Sequence, residues 1–492
     1  MPDMSMGTIS QSSYSKTVKT ILSKIHDATA LNDSVYEVAT DYFRHAKQQE
    51  DKLTQLQMQV RKFEKKPELS SAEQKQLAEA QSALKLYVRM LDDSRLERYR
   101  ALKALCLQVL QLTEGESFDE TVQMSSKFLG TIQLLAPSNG KYVASVNQKF
   151  KHLYKGVLSL RLLDRLLLDD ELNNNYVQAK VRAAKEMLDN SEAAYQADYS
   201  PFRDDVQLPL LMAAILQDIG TYHPDALAIL KGPEGDLDEF RVLDDTSRVA
   251  LLKINYQETL SYVTKGLACD RYVGNSKEER ELFNQNEQDK LNFVYTLLKN
   301  AIKPEGGVGN LLKIPQIYTS VVLSTKLNHS YESLPKAALV LQSGVERGYY
   351  HKAAVDALLK ITGLFPQGYG VTYIPKDSDK RDLDRYEYAL VVSLYPPALD
   401  MPICRVVTRS MTFSNTGTNV VVSVDNNLYF PAARKKLEKM SEERLLEILS
   451  KLVSNFEERK NMELIPKCWF PDEYFSYSKN QNLWNKVTTI QN

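Results

Sequence analysis

The spacing of apolar residues changes character once along this chain, at Phe365, and that change restricts the fold more than any other feature. Upstream, from about Ser34 through Lys360, apolar positions recur with helical period. Downstream come short β-branched and aromatic runs: Val371–Ile374, Tyr388–Leu394, Cys404–Thr408 and Val420–Val424. Polar or proline-containing loops separate them, as in a small antiparallel sheet. Ser441-Glu442-Glu443 caps one more amphipathic helix, expected to reach about Glu458. The tail from Leu464 is rich in aromatic residues (Trp469, Phe470, Tyr474, Phe475, Tyr477, Trp484) and should pack back on the body or bind a partner.

The N-terminal part is helical and charged. Pro67 interrupts it, and Ser70 with Glu73 forms a capping box for the restart. Leu77, Ala80, Leu84, Tyr87 and Leu91 then alternate at spacings of three and four, a coiled-coil seam of about two heptads. Such a seam serves either a helical hairpin folded on itself or a surface for dimerisation and partner docking; the sequence leaves both open. Ala136–Gly140 is the best boundary in this half. Beyond it Leu153–Leu172 reads as a core helix, since Asp169-Asp170-Glu171 at its end argues against a membrane surface.

Charge balance excludes some classes of function. Lys and Arg number 62 against 63 Asp and Glu, so no net field steers the protein to nucleic acid or to anionic membrane. No apolar run reaches the roughly 18–20 residues that span a bilayer, so membrane insertion is not expected. The N-terminus has no apolar core of a secretory signal. Cys106, Cys269, Cys404 and Cys468 are widely spaced, as free thiols in a reducing cytoplasm would be. Neither a phosphate-binding glycine loop, a nucleophile elbow nor a zinc spacing occurs, and the short glycine run at 306–309 follows no strand. Only six histidines are present (26, 45, 152, 223, 329 and 351), and none lies four residues from another. The single His-Asp dipeptide, His26-Asp27, reads as a surface pair on an N-terminal helix, and Arg271-Tyr272 and Arg347/Tyr349/Tyr350 as ordinary surface pairs.

One segment carries more information. Leu211–Gly220, LMAAILQDIG, is an apolar helix that delivers Gln217-Asp218 to a turn closed by Ile219-Gly220. Ala353–Gly370, AAVDALLKITGLFPQGYG, leads from a helix through Pro366 and Gly368 into a strand, and PICRVVTR follows later. Between them stands Lys313–Tyr331, KIPQIYTSVVLSTKLNHSY. In this order and at these intervals the three stretches, spanning roughly Tyr142–Asp425, resemble the HD-GYP branch of the HD phosphohydrolase superfamily. The resemblance implies an all-α domain with a small β appendage. It also implies bacterial signalling through cyclic di-GMP, hydrolysed by an iron- or manganese-bound hydroxide on metal ions held by His, Asp and Glu.

Position by position, that machinery is missing. The metal-ligating His is Gln217, beside a surviving Asp218; the later carboxylates fall on Thr319 and Val322; the lysine after the turn is Thr221. A neutral amide is a poor ligand for a transition metal. These vestigial positions therefore yield no catalytic, cofactor-binding or metal residues. His223, past the turn, reads as a capping or solvent residue.

The expected architecture is mainly α, in four consecutive segments. They are an N-terminal helical hairpin or coiled coil (1–135), a degenerate HD-GYP-like helical domain (140–365), a β appendage (366–430) and a C-terminal helix and tail (431–492). The expected role is a catalytically inactive cytoplasmic scaffold or interaction module, associating with proteins or with itself through the N-terminal helices and needing no cofactor. Sensing of a cyclic dinucleotide is left open. The alternative is a metal-dependent phosphohydrolase with a reduced site on Asp218, His223 and His329 or His351.

Overall fold

The computed structural model describes residues 11–27, 31–189, 199–302, 307–452, 463–484 and 489–491. Over these the chain is mainly helical, with a small, largely antiparallel sheet. The helices that matter below are α1 (Val35–Glu64), α2 (Ser71–Thr113), α3 (Phe118–Leu135), α4 (Val143–Leu168), α5 (Leu208–Leu216), α6 (Pro224–Lys231), α7 (Asp245–Ser261), α8 (Lys277–Asn300), α9 (Asn310–Val322), α10 (Lys352–Thr362) and α11 (Glu442–Leu452). Among the described residues no helix is long and apolar enough to cross a membrane.

The chain forms two compact units, both discontinuous in sequence. The first takes residues 1–22, 108–173 and 303–492, and the second takes 23–107 and 174–302. This differs from the four consecutive segments expected, because the segments 1–135 and 140–365 each feed both units. The boundary expected at Ala136–Gly140 lies inside the first unit, where α3 before it packs against α4 after it.

In the second unit α1 and α2 are the two arms of a hairpin. Ser34 opens α1 with a full capping box, its hydroxyl accepting from Glu37 N while the Glu37 carboxylate accepts from Ser34 N. Ser70 and Glu73 repeat the exchange at the start of α2, as their spacing predicts. Leu77, Ala80, Leu84 and Tyr87 are each less exposed than their immediate neighbours on the helix, and Leu91 is half-buried. On α1 Ala46, Gln49, Leu53, Val60 and Phe63 are likewise less exposed than their neighbours, and with the half-buried Leu56 they keep the same alternating spacing. Tyr87 OH donates to Gln49 O at 3.4 Å, and the Lys52 ammonium sits 4.8 Å from the Tyr87 ring centroid. The Arg98 guanidinium lies over Tyr42, so the pairing is antiparallel. Between Asp51 and Leu86 only Val60 is buried.

The centre of the second unit is α5, whose nine residues are all buried. A helix apolar all round belongs in a core, and α5 packs against α8. It is entered through one π-helical turn, Arg203–Gln207, in which Leu208 N donates to Arg203 O.

In the first unit α4 is central, packed by α3, α9 and α10. It begins ten residues earlier than the apolar run expected from sequence and ends at Leu168. The sheet has strand order β1-β2-β3-β6-β7, with strands Gly370–Tyr373, Glu387–Val391, Ile403–Val406, Asn419–Val421 and Thr489–Gln491, and β4 (Thr408–Arg409) pairs with β5 (Thr412–Phe413) in a separate ribbon. The first four are antiparallel, as expected; β7 joins β6 in parallel. A turn that Tyr369 N closes on Pro366 O leads into β1, with Gly368 at φ +80°, a conformation open mainly to glycine.

Alternation along the strands builds two cores. Val371, Ala389, Val391 and Cys404 face one, and Tyr388, Leu390, Val392 and Val407 face the other. The aromatic tail fills the second core with Trp469, Tyr474, Phe475 and Trp484. Both indole N–H groups find backbone carbonyls, of Ala389 and Val392, at 2.9 Å. The helix expected to run to Glu458 is α11, described to Leu452; residues 453–462 lie outside the described set.

Candidate functional site

Gln217 is the first residue past α5, and the chain turns there through Asp218 into a 3-10 turn, Ile219–Tyr222. Side-chain hydrogen bonds hold this turn. Tyr36 OH donates to Ile215 O at 2.8 Å, Asn255 Nδ2 to Gln217 O at 3.4 Å, Gly220 N to Thr259 Oγ1 at 3.1 Å and Thr221 Oγ1 to Asp218 O at 2.6 Å. Gly220 has a steric reason: a Cβ there would stand 2.3 Å from the Asn255 carbonyl oxygen of α7. The backbone path of the motif is thus built into the packing of the 3-10 turn on α7.

The side chains around the turn are aromatic rather than acidic. The Tyr36 ring centroid lies 4.9 Å from Tyr222 and 5.0 Å from His26. His26 also hydrogen-bonds the Tyr222 hydroxyl. It is therefore not the surface residue expected: the packing of Tyr36 and Tyr222 draws it in from nearly two hundred residues upstream, a contact no local pattern announces. Burial pushes the Tyr36 phenol well above its ordinary range, and the nearby Asp218 carboxylate pushes the same way. Gln217 is 8% exposed, and its Oε1 is buried without a hydrogen-bond partner among the described residues. His223 caps α6, its Nδ1 accepting from Asp225 N at 3.3 Å.

The remaining motif positions lie elsewhere. Thr319 and Val322 are on α9 of the first unit, each 1% exposed in its core. His329 and His351 also belong to the first unit, whereas Asp218 and His223 belong to the second. The cleft implied by the resemblance and the reduced set Asp218, His223, His329 and His351 are thus divided between two compact bodies. Among the described residues no three His, Cys, Asp or Glu side chains are placed to hold a metal ion. An amide, one carboxylate and a ring of phenols do not fit a multinuclear iron or manganese site. Arg271 is occupied by Asp93 at 2.8 Å and Tyr272 by Glu279.

A buried polar cluster of the second unit has almost no local sequence signal. Asp205, in the π-helical turn, has a fully buried side chain. Its carboxylate accepts from Lys180 at 2.6 Å, Tyr199 at 2.5 Å and Asn286 at 3.2 Å, and Lys290 lies 3.3 Å away. Lys290 also donates to Glu287 at 2.7 Å, and Glu287 accepts from Tyr99 OH at 3.0 Å. Two lysines and two carboxylates balance, so the cluster is a satisfied hub joining α2, α8 and the entry to α5. The only local signal was Asp204-Asp205 set directly before an apolar helix.

No protein-family model, curated protein or solved structure matches this chain.

Proposed function

We propose that this chain is a catalytically silent, HD-GYP-like protein that acts as a cytoplasmic signalling scaffold, docking partners through the α1–α2 hairpin. Gln217 carries the reading. At the position the resemblance reserves for a metal-bound imidazole stands a buried amide, on a turn held by side chains of Asn255, Thr259 and Thr221. Losing even a group that only orients a metal ligand typically lowers affinity about tenfold to a hundredfold, and here the ligand itself is replaced.

The docking role is supported by the hairpin. Its surface shows Met58, Leu86 and Met90 roughly half or more exposed, and most of the seam is only half-buried. All four cysteines are free, in keeping with a reducing compartment.

Elemental analysis of the purified full chain for iron, manganese and zinc tests the silent site. Metal far below one ion per chain, with no hydrolysis of cyclic di-GMP, is expected; stoichiometric metal with hydrolysis would overturn the reading. Calorimetric titration with cyclic di-GMP separates a sensor from a pure scaffold.

A further inference from the structure

In the second unit a half-buried arginine presents an unused fork to a cleft. The cleft, about 640 Å³, runs between α1, α2 and the π-helical turn Tyr262–Gly266 that closes α7. Its size suits a small ligand, and π-helical turns recur at functional sites. Arg98 of α2 lines it. The Arg98 Nε donates to Gly266 O at 2.7 Å and so fixes the side chain. Among the described residues its Nη1 and Nη2 make no hydrogen bond and pair with no carboxylate. Neither nitrogen is sealed from solvent, so the open end of the fork is within reach of a ligand in the cleft.

Two further donors on this cleft are unused. The Arg98 guanidinium lies 4.9 Å from the ring centroid of Tyr42, whose hydroxyl is not sealed and makes no hydrogen bond among the described residues. The Phe43 ring, 5.5 Å from Tyr42, holds His223 edge-on at 5.6 Å. Because His223 Nδ1 accepts from Asp225 N, the neutral ring keeps its proton on Nε2, which has no partner among the described residues. Charge sets the valence of the ligand. Lys47, Arg95, Arg98 and Lys265 line the cleft with Glu50, Asp92 and Glu258, an excess of one positive charge. Asp92 holds Arg95 and Glu50 holds Lys265, each at 3.5 Å. Away from Arg98 the lining turns aliphatic, with Leu91 and Val88 on α2 and Ala46 and Leu53 on α1. At a rise of about 1.5 Å per residue, Leu91 and Val88 lie roughly 10 and 15 Å along the helix from Arg98.

We propose that this cleft binds an aliphatic carboxylate of medium chain length, its head on the free Nη groups of Arg98 and its tail along Leu91, Val88, Ala46 and Leu53. The arginine fork matches the two oxygens of a carboxylate, and burial of the tail supplies affinity. Gln217 and Asp218 do not line the cleft, nor do Met58, Leu86 and Met90. The site is therefore independent of the silent motif and stands whether or not the chain is a scaffold.

The full chain is titrated calorimetrically with octanoate, octanamide and acetate. Octanoate should bind saturably, at least tenfold more tightly than octanamide, which lacks the charge, and than acetate, which lacks the tail. Arg98→Met keeps the stem over Tyr42 and removes the fork; it should weaken octanoate at least tenfold. Val88→Asp, at a partly exposed helix position, puts a carboxylate in the path of the tail. It should also weaken octanoate at least tenfold, while the thermal midpoint stays near that of the parent chain. Absence of saturation by octanoate at millimolar concentration overturns the proposal, and this holds even if neither variant folds. Equal binding of octanoate and either control, or unchanged binding by a folded Arg98→Met or Val88→Asp, overturns it as well.

Discussion

Arg161 and Asp164, one turn apart on α4, form an ion pair at 2.9 Å in which only 1% of the arginine side chain and 22% of the aspartate remain exposed. The same guanidinium holds Glu114 at 2.5 Å, Ser125 Oγ at 2.8 Å and Thr113 O at 3.1 Å. Burial pushes the Asp164 carboxyl up to about 7, Arg161 pulls it down, and the Glu114 carboxylate adds a further push upward. Its folded pKa is therefore above the unfolded value of about 3.9. The stability this group contributes is full below about pH 4 and is lost as pH rises through about 7.

A prediction follows for urea unfolding. The midpoint of the parent chain should fall between pH 5 and pH 8 by more than that of Asp164→Asn, which cannot ionise. Parallel pH profiles of the two proteins would contradict this.

Gly220→Ala tests the clamp on the motif turn. The new methyl would meet backbone on α7, not a side chain that can swing away. Strain in a packed core from small-to-large changes is typically about 1–3 kcal/mol, and a backbone obstacle places this case at the upper end or beyond. Thermal denaturation should show a clear loss of stability, whereas Gly307→Ala, whose Cβ would meet nothing within 4 Å, should lose far less.

The parts of this fold legible in the sequence were those with local causes. The seam Leu77–Leu91, the capping box at Ser70, the cap at Ser441 and the four β-branched runs each follow from spacing within one element. The partner seam on α1 went unread because glutamine and alanine at two of its positions dilute the apolar pattern. His26 beside Tyr222, and Lys180 and Lys290 on Asp205, join residues 25 to nearly 200 positions apart. The interleaving of the two units has the same origin: which helices share a core is decided by long-range packing, and linear order carries no trace of it. At the candidate site the sequence identified the replaced ligand, Gln217, but not the aromatic ring that surrounds it.

The hub at Asp205 predicts asymmetric mutational costs. Removing one partner of a buried ion pair leaves the other uncompensated, which typically costs about 3–5 kcal/mol, whereas replacing the whole set by apolar groups is often neutral. Lys290→Met strips a cation from both Asp205 and Glu287 and should be severely destabilising. Adding Glu287→Gln to Lys290→Met should recover part of the loss. Denaturant midpoints of the single and double variants test this coupling, and simple additivity would show that the hub does not act as a unit.

The hairpin should open separately from the core. Tyr87 is a buried aromatic anchor at the base of the exposed arm, held by Gln49 O and covered by Lys52, while nearly every residue between Asp51 and Leu86 is at least partly exposed. Truncating a packed aromatic to alanine costs about 3–5 kcal/mol. With so few other contacts to absorb it, that cost falls on local opening instead of global unfolding. In Tyr87→Ala, hydrogen exchange of the amides in residues 46–60 and 77–91 should accelerate by at least about a hundredfold, each tenfold corresponding to 1.4 kcal/mol. Exchange within α5 should stay near that of the parent chain. Equal acceleration in both places would mean that hairpin and core unfold as one, and a docking arm able to yield without disturbing the rest of its unit would have lost its physical basis.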